Sequence, residues 1–183
     1  MAANFIQTNF RESFIIEPKA FEDHRGYFME SYNIKDFQNK GITDKFIQEN
    51  FSFSQKNVLR GMHFQKSPHE TSKFIRCVEG EIYNVMIDIR KNSSTFGNWQ
   101  GFFLSKENRK MLYVPKGFAN GFCAISNGAG VAYMVDELYY PDFAGIIRWD
   151  DPDIGISWPV KNPVLSEQDK NAPFLKEIID FLG

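Results

Sequence analysis

Histidine is scarce in this chain: His24, His63 and His69 are the only ones among 183 residues. Imidazole is the side chain best suited to moving protons near neutral pH, so the choices are few. His63 sits in the phrase Val58-Leu59-Arg60-Gly61-Met62-His63-Phe64-Gln65, where it and Arg60 interrupt an apolar run. Two readings of that pair stay open. One is an edge-strand arginine beside a hydrogen-bonded core histidine. The other is a cation for an anionic ligand beside a proton-transfer group. Lys73 opens a later apolar segment and Tyr133 lies in the middle of another. Lysine is usually exposed and tyrosine usually packed, so each is weak evidence alone. Gln48 and Asn50 place two amides on one face of an aromatic-rich stretch, as a polar ligand inside a small barrel requires.

These residues depend on strands for their placement. Short β-branched and aromatic runs recur between turn residues. Residues 12–17 read as a strand ended by Pro18. Asp23-His24-Arg25-Gly26 reads as a tight turn into 27–32, with Gly26 free to take a positive φ. A short helix is expected at about 34–40, stopped by Gly41. Over 46–54, Phe46, Gln48, Asn50 and Ser52 face one way and Ile47, Glu49, Phe51 and Phe53 the other. Residues 73–90 hold two strands around Glu79-Gly80, a hairpin signal, and the second alternates through Tyr83, Val85, Ile87 and Ile89. Further strands are expected at about 99–104, 111–114, 121–126 and 131–138. One helix is expected at the C-terminal end. Ser166-x-x-Asp169 resembles a capping box, and Phe174, Leu175, Ile178, Ile179 and Leu182 recur at helical spacing after Pro173. Many short strands with one late helix predict an all-β jelly roll over residues 1–183, the helix covering an outer face.

Composition narrows the class. Nineteen Phe, seven Tyr and three Trp give ample core and exclude disorder. The net charge of −2 shows none of the basic excess of a nucleic-acid binder. No apolar run reaches the ~18 residues of a membrane span, and the first residues lack the basic and apolar regions of a signal peptide. Cys77 and Cys123 lie in apolar strand-like segments and read as buried free thiols. A reducing cytoplasm fits.

Pro115-Lys116-Gly117-Phe118-Ala119-Asn120 resembles the second conserved motif of cupin jelly rolls, which supplies a metal-binding histidine where this chain has Asn120. Asparagine is a poor ligand for the transition metals such sites hold, so a metal centre is disfavoured.

Seven motifs in order carry a larger resemblance. They are Phe21-x-Asp23-x-Arg25-Gly26-x-Phe28-x-Glu30, Gln48-Glu49-Asn50-Phe51-Ser52-Phe53-Ser54 and Leu59-Arg60-Gly61-Met62-His63-Phe64-Gln65. Then come Asp88-Ile89-Arg90, Ser93-x-Thr95-Phe96-Gly97, the run from Trp149-Asp150-Asp151-Pro152 to Trp158-Pro159, and Leu165-Ser166-x-x-Asp169. From about residue 10 to 176 the chain resembles the dTDP-4-dehydrorhamnose 3,5-epimerases. The resemblance implies a cytoplasmic, cupin-type homodimer that needs no metal or other cofactor and acts on a thymidine-diphosphate 4-keto-6-deoxyhexose. It implies His63 as base, Asp169 as the group orienting its ring, Lys73 as the cation beside the enolate and Tyr133 as the opposing acid. It implies Arg25 and Arg60 at the diphosphate and Tyr139 on the thymine. Gln48, Asn50 and Glu30 would bond the base and nearby groups, Glu30 and Asn50 being open to donation across the dimer.

Four positions depart from that family. Asn120 replaces a histidine, Met134 a lysine, Ala144 a glutamate and Gln168 a lysine. Asn120 keeps the ability to bond a sugar oxygen. These losses surround sugar and nucleotide recognition. They leave open a single-carbon epimerase, a 3,4-ketoisomerase or a non-catalytic sugar-binding jelly roll.

Overall fold

The computed structural model describes residues 3–182. In chain order the strands are β1 (Asn4–Gln7), β2 (Phe14–Glu17), β3 (Ala20–Asp23), β4 (Gly26–Met29), β5 (Gln48–Gln55), β6 (Leu59–Gln65) and β7 (Lys73–Glu79). They continue with β8 (Glu81–Asp88), β9 (Trp99–Ser105), β10 (Met111–Val114), β11 (Phe118–Ala124), β12 (Gly128–Val135) and β13 (Ala144–Ile146). Helix α1 spans Ile34–Asn39 and α2 spans Glu167–Lys170. Six strands pair antiparallel in the order β1-β2-β10-β7-β12-β5, and five in the order β13-β6-β11-β8-β9. β3 and β4 form a separate hairpin whose Gly26 has φ +126°. Two facing antiparallel sheets make the expected jelly roll.

The alternation of β8 shows how the layers are specified. Ile82 and Met86 face inward and join Ile75, Leu112 and Phe122 between the sheets. Val85 and Ile87 face outward and pack with Met62, Phe64 and Leu175. Burying each such side chain contributes roughly 1.5–3 kcal/mol, so both faces of this strand resist register slip. The outer face of the larger sheet is covered near β2, β10 and β7 by α1, whose Phe37 packs with Ile16, Phe74 and Met111. Asn33 caps α1 by accepting a hydrogen bond from the Lys35 amide.

Two expectations are corrected. Glu79-Gly80 is a turn, with Gly80 at φ +67°, but β7 and β8 belong to different sheets. The turn carries the chain across the sandwich, because each strand finds its partner in its own layer. The C-terminal helix is absent: residues 175–177 and 179–182 form two short 3-10 turns. Helix nucleation is costly over so few residues after Pro173. The Leu175 amide instead donates to the Asp151 carboxylate at 2.7 Å. The apolar residues still cover the outer face of the five-stranded sheet, as expected of the helix.

Candidate active site

Arg60 and His63 are three residues apart on β6, so strict alternation would send them to opposite faces. Both line the same interior chamber. The β6–β11 pairing shifts register between Asn120 and Phe122, and Gly61 lies at this irregularity with φ +133°. A Cβ on Gly61 would come within 2.5 Å of the Gly121 Cα. Glycine at both positions lets the backbones cross closely, and the bulge turns Arg60 and His63 inward together.

Asp169 on α2 meets His63 from the side, with Asp169 Oδ1 2.7 Å from His63 Nε2. The second oxygen, Oδ2, accepts from the Ser166 hydroxyl at 2.9 Å, and that hydroxyl accepts from the Asp169 amide at 3.0 Å. The Ser166–Asp169 signal therefore closes within itself, hydroxyl to carboxylate, and α2 is one turn long. Burial pushes the Asp169 carboxyl up, but the His63 and Ser166 hydrogen bonds and the His63 charge outweigh it and hold it below the usual range. An ionised carboxylate only accepts, so His63 Nε2 carries a proton and Nδ1 is the basic nitrogen.

The opposite wall comes from the six-stranded sheet. Antiparallel register sets Lys73, Val135 and Gln48 abreast, and Ile75, Tyr133 and Asn50 abreast two residues on. Lys73 Nζ donates to the His63 carbonyl at 3.3 Å, and burial draws its ammonium down to about 8. Burial raises the Tyr133 phenol, with Arg60 partly countering it, so the hydroxyl keeps its proton at neutral pH. Gln48 donates to Asn50 Oδ1 at 2.7 Å. Arg60 donates from Nε to Ser54 Oγ at 3.0 Å and lies along β5.

Two chambers meet at His63, Lys73, Tyr133 and Gln168. The outer one, about 660 Å³, opens past Gln48, Asn50 and Tyr139. The inner one, about 390 Å³, reaches Arg60, Asn84, Asn120 and Asp169. Tyr139 is 70% exposed at the mouth. Its loop is pinned by Gln65, which donates to the Leu138 carbonyl at 3.0 Å and accepts from the Tyr140 amide at 2.6 Å. His69 stacks on Tyr140 at 3.7 Å. Arg25 and Glu30 stand apart: neither lines a chamber. Arg25 pairs with Asp23 at 2.6 Å on the exposed hairpin, and Glu30 accepts from Asn33 at 3.1 Å. Asn50 lines its own chain's cavity. Among the described residues, no three His, Cys, Asp or Glu side chains group as a metal site.

A protein-family model described as dTDP-4-dehydrorhamnose 3,5-epimerase matches residues 7–177. The chain belongs to that family. A dTDP-4-dehydrorhamnose 3,5-epimerase of Methanothermobacter thermautotrophicus is 47% identical over 176 residues, covering 94% of this chain and 95% of the relative. The crystal structure of the Elizabethkingia anophelis epimerase superposes with a TM-score of 0.93 at 41% identity, covering 97% of this chain and 98% of the other. The Legionella pneumophila dTDP-6-deoxy-D-glucose-3,5-epimerase, solved in complex with dTDP-4-keto-L-rhamnose, gives a TM-score of 0.92 at 44% identity, covering 96% and 94%.

Within the dTDP-4-dehydrorhamnose 3,5-epimerase family the four departures separate. Asn120 lines the inner chamber, Ala144 the outer one, and Gln168 both. Met134 packs on the opposite face of β12 with the α1 cluster. Sequence reasoning missed Ser166, Gln65 and Asn84 as parts of the site. Ser166 is visible only as a cap within the last motif, and Gln65 only as the end of another. Asn84 had a usable signal: it is an amide between Ile82 and Met86 on the inward face of β8.

Proposed function

We infer that this chain is an isomerase that inverts carbons 3 and 5 of a thymidine-diphosphate-linked 4-keto-6-deoxyhexose, in the rhamnose-type route to deoxysugars. The observation that carries the chemistry is that His63, backed by Asp169, and Tyr133 rise from opposite sheets into one cavity. Inversion needs a base on one face of the ring and an acid on the other, and the two sheets supply one each.

Carbons 3 and 5 both flank the ketone, so a proton lost from either leaves an enolate. His63 Nδ1 takes the proton and becomes imidazolium, which Asp169 stabilises. The Lys73 ammonium offsets the charge growing on the ketone oxygen. Tyr133 delivers its hydroxyl proton to the opposite face of the carbon, and the carbonyl reforms. Both side chains then return to their starting states by proton exchange with solvent, and the cycle repeats at the second carbon. Arg60 holds the diphosphate, Tyr139 stacks on the thymine, and Gln48 and Asn50 bond the base. Asn120 bonds a sugar oxygen. No metal or other cofactor enters these steps.

The working form in this reading is a cytoplasmic homodimer of one jelly-roll domain. The outward face of the edge strand β5 leaves Phe51 and Phe53 64% and 45% exposed, with Ile47 beside them. Such an apolar patch on an open edge favours a second copy. Arg25 and Glu30, remote from their own cavity, then complete the neighbour's from the β3–β4 hairpin. No helix among the described residues is long and apolar enough to cross a membrane. Both cysteines are buried and free, which suits a reducing compartment.

Tyr133→Phe tests the assignment of the acid. Nuclear magnetic resonance in deuterated water follows exchange and inversion together. Exchange continues through His63 while inverted product falls by about 10²-fold. Inversion at the wild-type rate removes Tyr133 from the role, and equal loss of both reassigns it to positioning.

A further inference from the structure

Two buried polar atoms of inner-chamber residues lack a partner among the described residues: Ser52 Oγ and Asn84 Nδ2. The second is forced by its surroundings. Asn120 Nδ2 donates to the Val85 carbonyl at 2.9 Å, and that carbonyl can only accept, so this end of Asn120 is its NH₂. The same NH₂ donates at 2.7 Å to Asn84, which must therefore present its oxygen there. The Asn84 NH₂ is left turned away from Asn120. Asn120 Oδ1 likewise meets no donor among the described residues.

An unmade buried hydrogen bond costs about 1–3 kcal/mol. Asn84 is fully buried between the inward-facing Ile82 and Met86, where a leucine would continue the apolar face without that cost. The amide becomes favourable once an acceptor enters the chamber. The chamber shares His63, Lys73 and Tyr133 with the site already described, so in that reading the sugar ring enters it alongside the diphosphate that Arg60 holds. The free groups are all neutral: an amide donor, an amide acceptor and a hydroxyl. They match a sugar hydroxyl, which both donates and accepts, and offer no counter-charge to an ammonium or a carboxylate.

We propose that Asn84, oriented by Asn120, is a specificity-determining residue that reads a hydroxyl at C2 or C3 of the hexose and makes the enzyme reject the analogue lacking it. This rests on the epimerase reading above. A site built around a hydroxyl loses far more with the deoxy analogue than a site shaped by apolar contact, because its polar groups are stranded.

The test compares thymidine-diphosphate 4-keto-6-deoxyglucose with its 2-deoxy and 3-deoxy counterparts. Wild-type kcat/KM falls about 100-fold or more for one counterpart. In Asn84→Leu, kcat/KM on the parent sugar falls about tenfold, discrimination against that counterpart shrinks to within about threefold, and thymidine diphosphate binds as before. Wild-type discrimination below about threefold against both counterparts, or its full retention in Asn84→Leu, overturns the proposal. Asn84→Ala serves should the leucine variant fail to fold. It removes the amide with less bulk, the same loss of discrimination against that counterpart is expected, and full retention of the discrimination also overturns the proposal. Failure of the wild type to turn over the parent sugar refutes the epimerase reading instead.

Discussion

Asp88 and Asp169 are both buried carboxylates held below their usual range, yet they are built for different ends. Asp88 closes a corner. Its oxygens take hydrogen bonds from Arg90 Nε at 2.9 Å and Nη2 at 2.7 Å, and from the hydroxyls of Ser93 and Thr95, each at 2.6 Å. Every partner is a donor fixed on the adjacent loop, and their sum overcomes burial to bring the carboxyl to about 2. Asp169 spends one oxygen on Ser166 and the other on His63, whose side chain remains 46% exposed to the cavity. A buried carboxylate with a depressed pKa is therefore not in itself a mark of chemistry. What matters is whether its partner can change protonation state and reach a ligand.

The largest effect separating the two regions is expected at the partner. His63→Ala abolishes deuterium exchange at both sugar carbons, a loss of roughly 10²–10⁴-fold, while thymidine diphosphate binding is preserved. Exchange at the wild-type rate would make His63 as structural as Arg90. Asp169→Asn comes next. It leaves His63 without its charged acceptor, and kcat falls about 10²-fold with a small change in melting temperature. A large melting shift with normal kcat would put Asp169 in the same class as Asp88.

Lys73 sharpens the comparison through pH. Its charge is lost as pH rises through about 8, so kcat declines above that value, and Lys73→Arg extends the alkaline limb. Stability moves the other way. The folded pKa lies below the unfolded value, so the unfolded chain binds more protons between about 8 and 10.5, and this group's penalty on folding fades as pH rises through that window. An activity profile with no limb near 8 would detach Lys73 from catalysis.

The smallest catalytic effect is expected at Asp88. Asp88→Asn leaves kcat of the folded enzyme within about twofold but costs of order 1–2 kcal/mol, read as a melting temperature lower by a few degrees. In the wild type this carboxylate's contribution is present above its ordinary value near 3.8 and is lost as pH falls through about 2. The variant therefore shows a shallower acid-unfolding limb. An Asp88→Asn enzyme that is stable but inactive would reverse the contrast.

Legibility from sequence follows the range of the interactions. The bounds expected for β10 match to the residue and those for α1 to within one, because a short apolar run and the stop at Gly41 are local signals. The crossing at Glu79-Gly80 is not legible, because a turn looks the same whether its strands pair or part. The late 3-10 turns are not legible as such, because apolar spacing of about 3–4 residues serves a helix and a 3-10 segment pressed on a sheet equally well.

The sequence by itself determined an all-β sandwich, the scarcity of imidazoles that singles out His63, and a run of motifs sufficient to name a family. Periodicity and residue type are short-range properties, and they survive without a fold. The resemblance implied that Asp169 orients His63, but only the tertiary structure decided that this carboxylate, 106 positions away, meets the Nε2 atom, and that the bulge at Gly61 turns Arg60 and His63 to one side. It alone set Arg25 outside the cavity and left the Asn84 amide without a partner. Each of these depends on which distant backbone lies alongside. Sheet order and register settle that, by burying two apolar faces at once.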